Sequence, residues 1–209
     1  ELPSFIIKRL PFRLTYDANY YNDKYCGIPV GGYTQIFEKL LGNADVQLGV
    51  DFLQDRKGWT SKAKHVVYTG PLDAYFDYKY GELEYRTLDF VHTEIQKENV
   101  QGVPVINYTA PEVSWTRSIE HKHFEKVKTS HTVVTSETPA EWSKDRVPYY
   151  PINDSHNNSL AGEYNKDVKK LSNVTFGGRL AKYQYYDMDQ VIASALTSSK
   201  KFLSNRSKI

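Results

Sequence analysis

Hydrophobic and polar residues follow two different periods along the first third of the chain. Between residues 33 and 42 the apolar positions recur at helical spacing and lie on one face, and Gly42 is a suitable helix stop. Residues 46–52 alternate apolar and polar side chains, which predicts a strand, and residues 64–69 predict a short buried strand. This order of elements is typical of the edge of an α/β layer.

The middle of the chain has almost only β signals. Strands are predicted at residues 83–91, 104–108, 115–121 and 132–136, separated by turn residues. After a loop at 146–154, the pattern predicts a polar helix at 160–171, a strand at 174–176 and a helix at 187–203. The predicted fold class is α+β, with a central antiparallel sheet flanked by α/β segments.

Composition narrows the class of protein. The chain is 40% hydrophobic and 25% charged, which indicates a globular protein, and its net charge of +2 argues against a nucleic-acid binder. No apolar run reaches the ~18 residues that a membrane span requires. The single cysteine, Cys26, fits a reducing cytoplasm. Because the chain starts at Glu1 and not at Met, we expect it to be a piece of a longer protein.

Tyrosine is unusually frequent, with 17 residues. Its ring and hydroxyl suit the binding of sugars, nucleobases and phosphates, although most tyrosines simply pack in sheets and interfaces. Eight of them cluster in three loop-like segments, where functional residues concentrate. These are Tyr16, Tyr20, Tyr21, Tyr149, Tyr150, Tyr183, Tyr185 and Tyr186.

Three other groups of residues could have a function, but each also has an ordinary structural explanation. A strand, the Gly177-Gly178 turn and a following helix form either a cradle for an anion or cofactor, or an ordinary tight turn. Arg9 and Arg117 could clamp a diphosphate, or each could be a solvated surface charge. His121 and His123 lie two residues apart on a predicted strand, but no third ligand has suitable spacing, so no metal site is predicted.

Ten short runs, in order, resemble UDP-galactopyranose mutases. They are Ile7–Arg9, Asn19–Tyr21, Gly27–Tyr33, Tyr68–Pro71, Leu83–Arg86, Val105–Asn107, Thr116–Phe124, Pro148–Pro151, Phe176–Ala181 and Tyr185–Met188. The resemblance covers residues 1 to about 196. The family's Gly-rich dinucleotide turn and a Trp-Gly-Arg segment do not occur in this chain, so it resembles the central and C-terminal part of the enzyme.

The resemblance implies an isomerase that interconverts UDP-galactopyranose and UDP-galactofuranose. In this family the N5 atom of reduced FAD attacks the anomeric carbon, UDP leaves, and the covalent flavin–sugar adduct opens and recloses as the smaller ring. The resemblance implies a cytoplasmic protein that takes part in galactofuranose biosynthesis. The galactofuranose would serve a cell-surface polysaccharide. The implied partners are the two UDP-sugars, with no nucleic acid and no membrane span, and a homodimer is left open.

The resemblance also assigns roles to individual residues. Arg9 would lie on a mobile loop that closes over the diphosphate, and Arg117 would be its fixed catalytic partner. Substrate contacts would come from Tyr20, Asn107, Tyr150, Tyr185 and Asp187. FAD would be held by Arg179 and Gly178, with Met188 at the start of the last helix near the flavin.

Four regions follow from this comparison. Residues 1–27 would belong to the mobile-loop region, 28–80 to an α/β segment of the FAD domain, 81–150 to the substrate-binding sheet and 151–209 to a return to the FAD domain. The isolated chain is expected to bind FAD weakly and to be inactive. The alternatives are a non-catalytic nucleotide-sugar-binding domain and an amine-oxidase-like flavoenzyme. The arginines argue against the amine oxidase, because an amine substrate carries no diphosphate.

Overall fold

The computed structural model describes residues 14–16 and 23–206. The α-helices of this part are α1 (Thr34–Leu41), α2 (Arg56–Lys62), α3 (Leu72–Tyr75), α4 (Lys122–Glu125), α5 (Ser155–Val168), α6 (Gly178–Ala181) and α7 (Met188–Arg206). The strands are β1 (Val66–Tyr68), β2 (Tyr85–Ile95), β3 (Val105–Asn107), β4 (Arg117–Glu120), β5 (Thr132–Ala140), β6 (Tyr150–Pro151) and β7 (Val174–Phe176). A 3-10 helix spans Phe52–Asp55.

Two sheets organise these elements. The larger is antiparallel, with strand order β3-β4-β5-β2-β6, and its longest pairing runs from Thr87 opposite Ala140 to Ile95 opposite Thr132. The smaller joins β1 to β7 in parallel, with Tyr68 opposite Phe176. The α+β class and the central antiparallel sheet are therefore confirmed. The division into four regions, two of them in an FAD domain, stays a prediction.

Aromatic side chains fill the core beside the parallel pair. The ring of Tyr75 lies 4.8 Å from that of Phe176, and the rings of Phe76 and Tyr164 stack at 5.8 Å. Burial raises the pKa of the Tyr68 hydroxyl, which donates a hydrogen bond to the carbonyl of Pro71 at 3.0 Å. Such ring pairs contribute about 0.5–1.5 kcal/mol each beyond the area they bury. Part of the tyrosine excess therefore serves packing.

Tyr183, which the sequence pattern groups with the tyrosines of loop-like segments, is buried in the core. It is 3% exposed, and its hydroxyl donates to the carbonyls of Glu84 at 2.6 Å and Ile152 at 3.0 Å. These bonds connect the segment before α7 to the residue that precedes β2 and to the residue that follows β6. Tyr183 is thus a core residue.

Some predicted elements are wrong or displaced. No strand forms at residues 46–52, which pair with no strand among the described residues, and Asp51 instead caps the 3-10 helix by accepting a hydrogen bond from the Leu53 amide at 2.9 Å. The predicted strand at 115–121 ends at Glu120, so His121 is the N-cap of α4 and His123 lies within α4. The helix predicted at 160–171 begins at Ser155, because Asp154 accepts from the Asn157 amide at 2.7 Å.

No helix among the described residues is both long enough and apolar enough to cross a membrane.

Candidate functional site

Arg117 is held between two polar side chains on the large sheet. It lies opposite Asn107 of β3 and Glu137 of β5, and residues directly opposite in antiparallel strands share a face. The guanidinium Nε donates to Asn107 Oδ1 at 3.0 Å, and Nη1 lies 3.5 Å from Glu137 Oε2. The Arg117 side chain is 46% exposed, whereas that of Glu137 is only 11% exposed. A buried carboxylate thus orients a cation that reaches solvent.

Asn107, Arg117 and Glu137 form a row across neighbouring strands, and packed side chains extend this row toward β6. Glu137 is opposite Phe90 of β2, whose ring makes an edge contact with Tyr149 at 5.7 Å. Tyr149 precedes β6, and its amide donates to the carbonyl of Arg86 at 3.1 Å. Arg117 is therefore linked through packed side chains to the strand that carries Tyr150.

A second cluster joins β6 to the segment before α7. The rings of Tyr150 and Tyr185 stack with centroids 4.9 Å apart, and the Arg179 guanidinium lies 4.7 Å from the Tyr150 centroid. Arg179 donates from Nη1 to the Tyr149 carbonyl at 3.0 Å, and from Nε to the Tyr186 carbonyl at 3.1 Å. A second bond to Tyr186 comes from Nη2. Arg179 therefore fixes both tyrosines of the stack.

The turn before Arg179 requires glycine for conformational reasons. Gly178 has φ +79°, which L side chains rarely adopt. A Cβ there would lie 3.7 Å from Thr69 Cβ, which is an ordinary contact. The cost of any other residue at this position would therefore come from backbone strain and not from a steric clash.

An open cleft lies beside this cluster. Its volume is about 620 Å³, within the range of small-molecule sites. It is lined by Asn153, Asn158, Tyr183, Gln184, Tyr185, Tyr186, Asp187 and Gln190. The amide of Asp187 donates to Gln190 Oε1 at 2.9 Å where α7 begins. Met188, the first residue of α7, is 60% exposed.

The predicted site residues thus fall into two groups. Arg117 and Asn107 meet on the sheet, while Tyr150, Tyr185 and Arg179 meet beside the cleft that Tyr185 and Asp187 line. Gly178 and Met188 lie at the start of α6 and α7. Arg9 and Tyr20 lie outside the described residues. The functional roles assigned to all of them stay predictions.

Sequence reasoning missed Glu137 and Phe90 as members of this site. Either would have been found only from the register of β4, β5 and β2, which short-range patterns do not give. The described residues contain no group of three or more His, Cys, Asp or Glu arranged to hold a metal. His121 instead bonds to Thr135 at 2.7 Å, and His123 lies 3.1 Å from Glu120.

Comparison with known proteins identifies the family. A family model described as UDP-galactopyranose mutase matches residues 1–185. The chain belongs to the UDP-galactopyranose mutase family. The resemblance carried by the ten short runs is therefore confirmed.

Three relatives show how much of a mutase the chain represents. It is 40% identical to a probable UDP-galactopyranose mutase of Klebsiella pneumoniae, covering 98% of this chain and 53% of the relative. It is 36% identical to a dTDP-fucopyranose mutase of Escherichia coli, covering 98% and 56%. It is 35% identical to the UDP-galactopyranose mutase of Mycoplasma genitalium, covering 95% and 53%. The chain thus spans about half the length of these mutases, which are isomerases.

Proposed function

We propose that this chain forms the substrate-binding part of a cytoplasmic mutase that interconverts UDP-galactopyranose and UDP-galactofuranose with reduced FAD. The observation that carries the proposal is the orientation of Arg117 by Asn107 and Glu137. A guanidinium fixed on two sides and open on the third is suited to a phosphate group. Family membership supports a nucleotide-sugar as the source of that phosphate.

In the reaction, the bond between the anomeric carbon and a β-phosphate oxygen breaks, and UDP leaves with the electron pair. Arg117 stabilises the negative charge that develops on the diphosphate, and its orientation before the reaction avoids a reorganisation cost. Tyr150 and Tyr185 donate hydroxyl hydrogen bonds to the diphosphate in this proposal, and Asp187 contacts the sugar. Arg9 and Tyr20, outside the described residues, complete the site. UDP is held in place until it rejoins the contracted ring.

The residues assigned to FAD are compatible with it. Three of the five N–H groups of Arg179 donate to the carbonyls of Tyr149 and Tyr186, so two can serve a phosphate. Gly178 leaves the turn after β7 without a side chain, so a cofactor can approach the backbone. Arg179, Gly178 and Met188 are the residues we propose to hold FAD. When bound, reduced FAD supplies the nucleophilic nitrogen for the anomeric carbon.

The test is turnover by the full-length protein after dithionite reduction, with UDP-galactofuranose and a dTDP-fucose substrate in parallel. We expect conversion of UDP-galactofuranose to UDP-galactopyranose. Because one relative is named a dTDP-fucopyranose mutase, exclusive turnover of the dTDP-sugar would show that the base and sugar were assigned wrongly. Tight binding of UDP-sugars without turnover would instead favour the non-catalytic alternative.

The activity of the isolated chain is a separate part of the proposal. We propose that the 209 residues alone bind FAD weakly and do not turn over, because the dinucleotide-binding turn of the family does not occur in them. The purified chain should therefore be colourless. A yellow chain that converts UDP-galactofuranose after reduction would contradict this.

A further inference from the structure

Among the described residues, five buried side-chain polar atoms have no hydrogen-bond partner, and three of the five belong to different parts of the chain but line one cavity. These three are Asp73 Oδ1 of α3, Tyr85 OH of β2, and Trp142 Nε1 of the segment between β5 and β6. Asp73 and Tyr85 are 2% and 1% exposed. All three side chains line one cavity of about 40 Å³. Buried polar groups in native proteins are almost always hydrogen-bonded, so this concentration points to a ligand.

We propose that this cavity is an internal hydration site, in which ordered waters bridge Asp73, Tyr85 and Trp142. One water needs on the order of 10–15 Å³, so the cavity has room for about three. A water can accept from the Trp142 N–H, exchange a hydrogen bond with the Tyr85 hydroxyl and donate to the Asp73 carboxylate. All three atoms are then satisfied.

Other small ligands fit the lining less well. A metal cation requires several oxygen ligands and would meet the donor-only N–H of Trp142, with Lys144 and Arg146 also lining the cavity. An anion would meet the carboxylates of Asp73 and Glu82. The cavity volume of about 40 Å³ is far below the ~300–1,000 Å³ of sites that bind drug-sized organic molecules. Of water, a metal cation and an anion, water is the one that both donates and accepts hydrogen bonds, as these three atoms require.

The hydration site has a structural consequence for β6. Asp73 Oδ2 already accepts from the Leu83 amide at 2.8 Å, which ties α3 to the start of β2. Tyr85 is opposite Pro151 of β6, and its ring lies 5.0 Å from that of Trp142. Waters in the cavity therefore connect α3 and β2 to the segment that leads into β6. They help to fix the strand that carries Tyr150.

The first experiment is a high-resolution crystal structure of the protein. We expect ordered water peaks within about 3.2 Å of Asp73 Oδ1, Tyr85 OH and Trp142 Nε1. An empty cavity overturns the proposal. So does a side chain from another part of the protein, or a non-water ligand, bonded to these atoms.

The second experiment uses the sign of a stability change. If water bridges Tyr85, Tyr85→Phe removes a satisfied hydrogen bond and should raise the unfolding equilibrium constant about fivefold. If the hydroxyl is unpaired, its removal leaves that constant unchanged or lowers it, which overturns the proposal. Tyr164→Phe is the matched control, because that buried hydroxyl donates to the Gly81 carbonyl at 2.6 Å and must lose a bond. If Tyr85→Phe does not fold, the crystal structure of the unaltered protein still decides.

Discussion

Glu120 is the buried charge whose removal we expect to destabilise the sheet most clearly. It ends β4, is fully buried, and accepts from the Gln101 amide at 2.7 Å and the Val100 amide at 3.2 Å. His123 Nε2 lies 3.1 Å from its Oε2. Burial alone would raise the pKa of Glu120. The backbone amides of Gln101 and Val100, together with the nearby Thr132 and His123 side chains, outweigh burial and lower the pKa from 4.5 to about 2.

The size and sign of the effect follow from that pKa. The difference between 4.5 and about 2 corresponds to roughly 3 kcal/mol of stability for the ionised form. Because the folded pKa is lower than the unfolded one, this stability is complete above about pH 5. It falls to about half of that value near pH 3 and is lost below about pH 2. Glu120→Gln cannot ionise, so it should be about 3 kcal/mol less stable than the unaltered protein at pH 7, and the difference should shrink on acidification.

The assay is urea denaturation followed by tryptophan fluorescence at pH 7, 5, 4 and 3. The measured quantity is the difference in unfolding free energy between the unaltered protein and Glu120→Gln. Glu125→Gln is the control, because Glu125 is exposed on the neighbouring α4 and should change stability little. A difference that is the same at pH 7 and pH 3, or that is absent at pH 7, would refute the assignment of a stabilising ionised carboxylate.

Two further predictions concern the site itself. In the complete enzyme, Arg117→Ala should lose at least ~3 kcal/mol of transition-state stabilisation, seen as a fall of more than about 100-fold in kcat/KM. Arg117→Lys should restore only part, because an ammonium lacks the planar fork, and near-normal turnover of the alanine variant would exclude the catalytic role. Gly178→Ala should lower the free energy of unfolding by about 1 kcal/mol because of its φ of +79°. Gly162→Ala, in the open interior of α5, should raise it by up to ~1 kcal/mol, so equal signs in thermal unfolding would contradict the strain argument.

Local sequence patterns predicted correctly those helices and strands that are determined by residues close together in the chain. The helix expected at 33–42 is observed at Thr34–Leu41, and the strand at 174–176 is observed as Val174–Phe176. The alternation at 46–52 misled, because a strand also needs a partner strand to pair with and this segment has none among the described residues. β6 was missed because it has two residues, one of them Pro151, and exists only through its pairing with β2.

The sequence by itself determined the family and the α+β class and supplied the residues of the candidate site, because these depend on short runs of residues and on local periodicity. Tertiary structure decided which of those residues meet. The register of β3, β4 and β5 places Asn107 and Glu137 on either side of Arg117, and the packing of the segment before α7 on β6 stacks Tyr185 on Tyr150. The same packing buries Tyr183, although it lies two residues from Tyr185. Strand register and burial arise from contacts distant in sequence, so no local pattern could separate a core tyrosine from a site tyrosine.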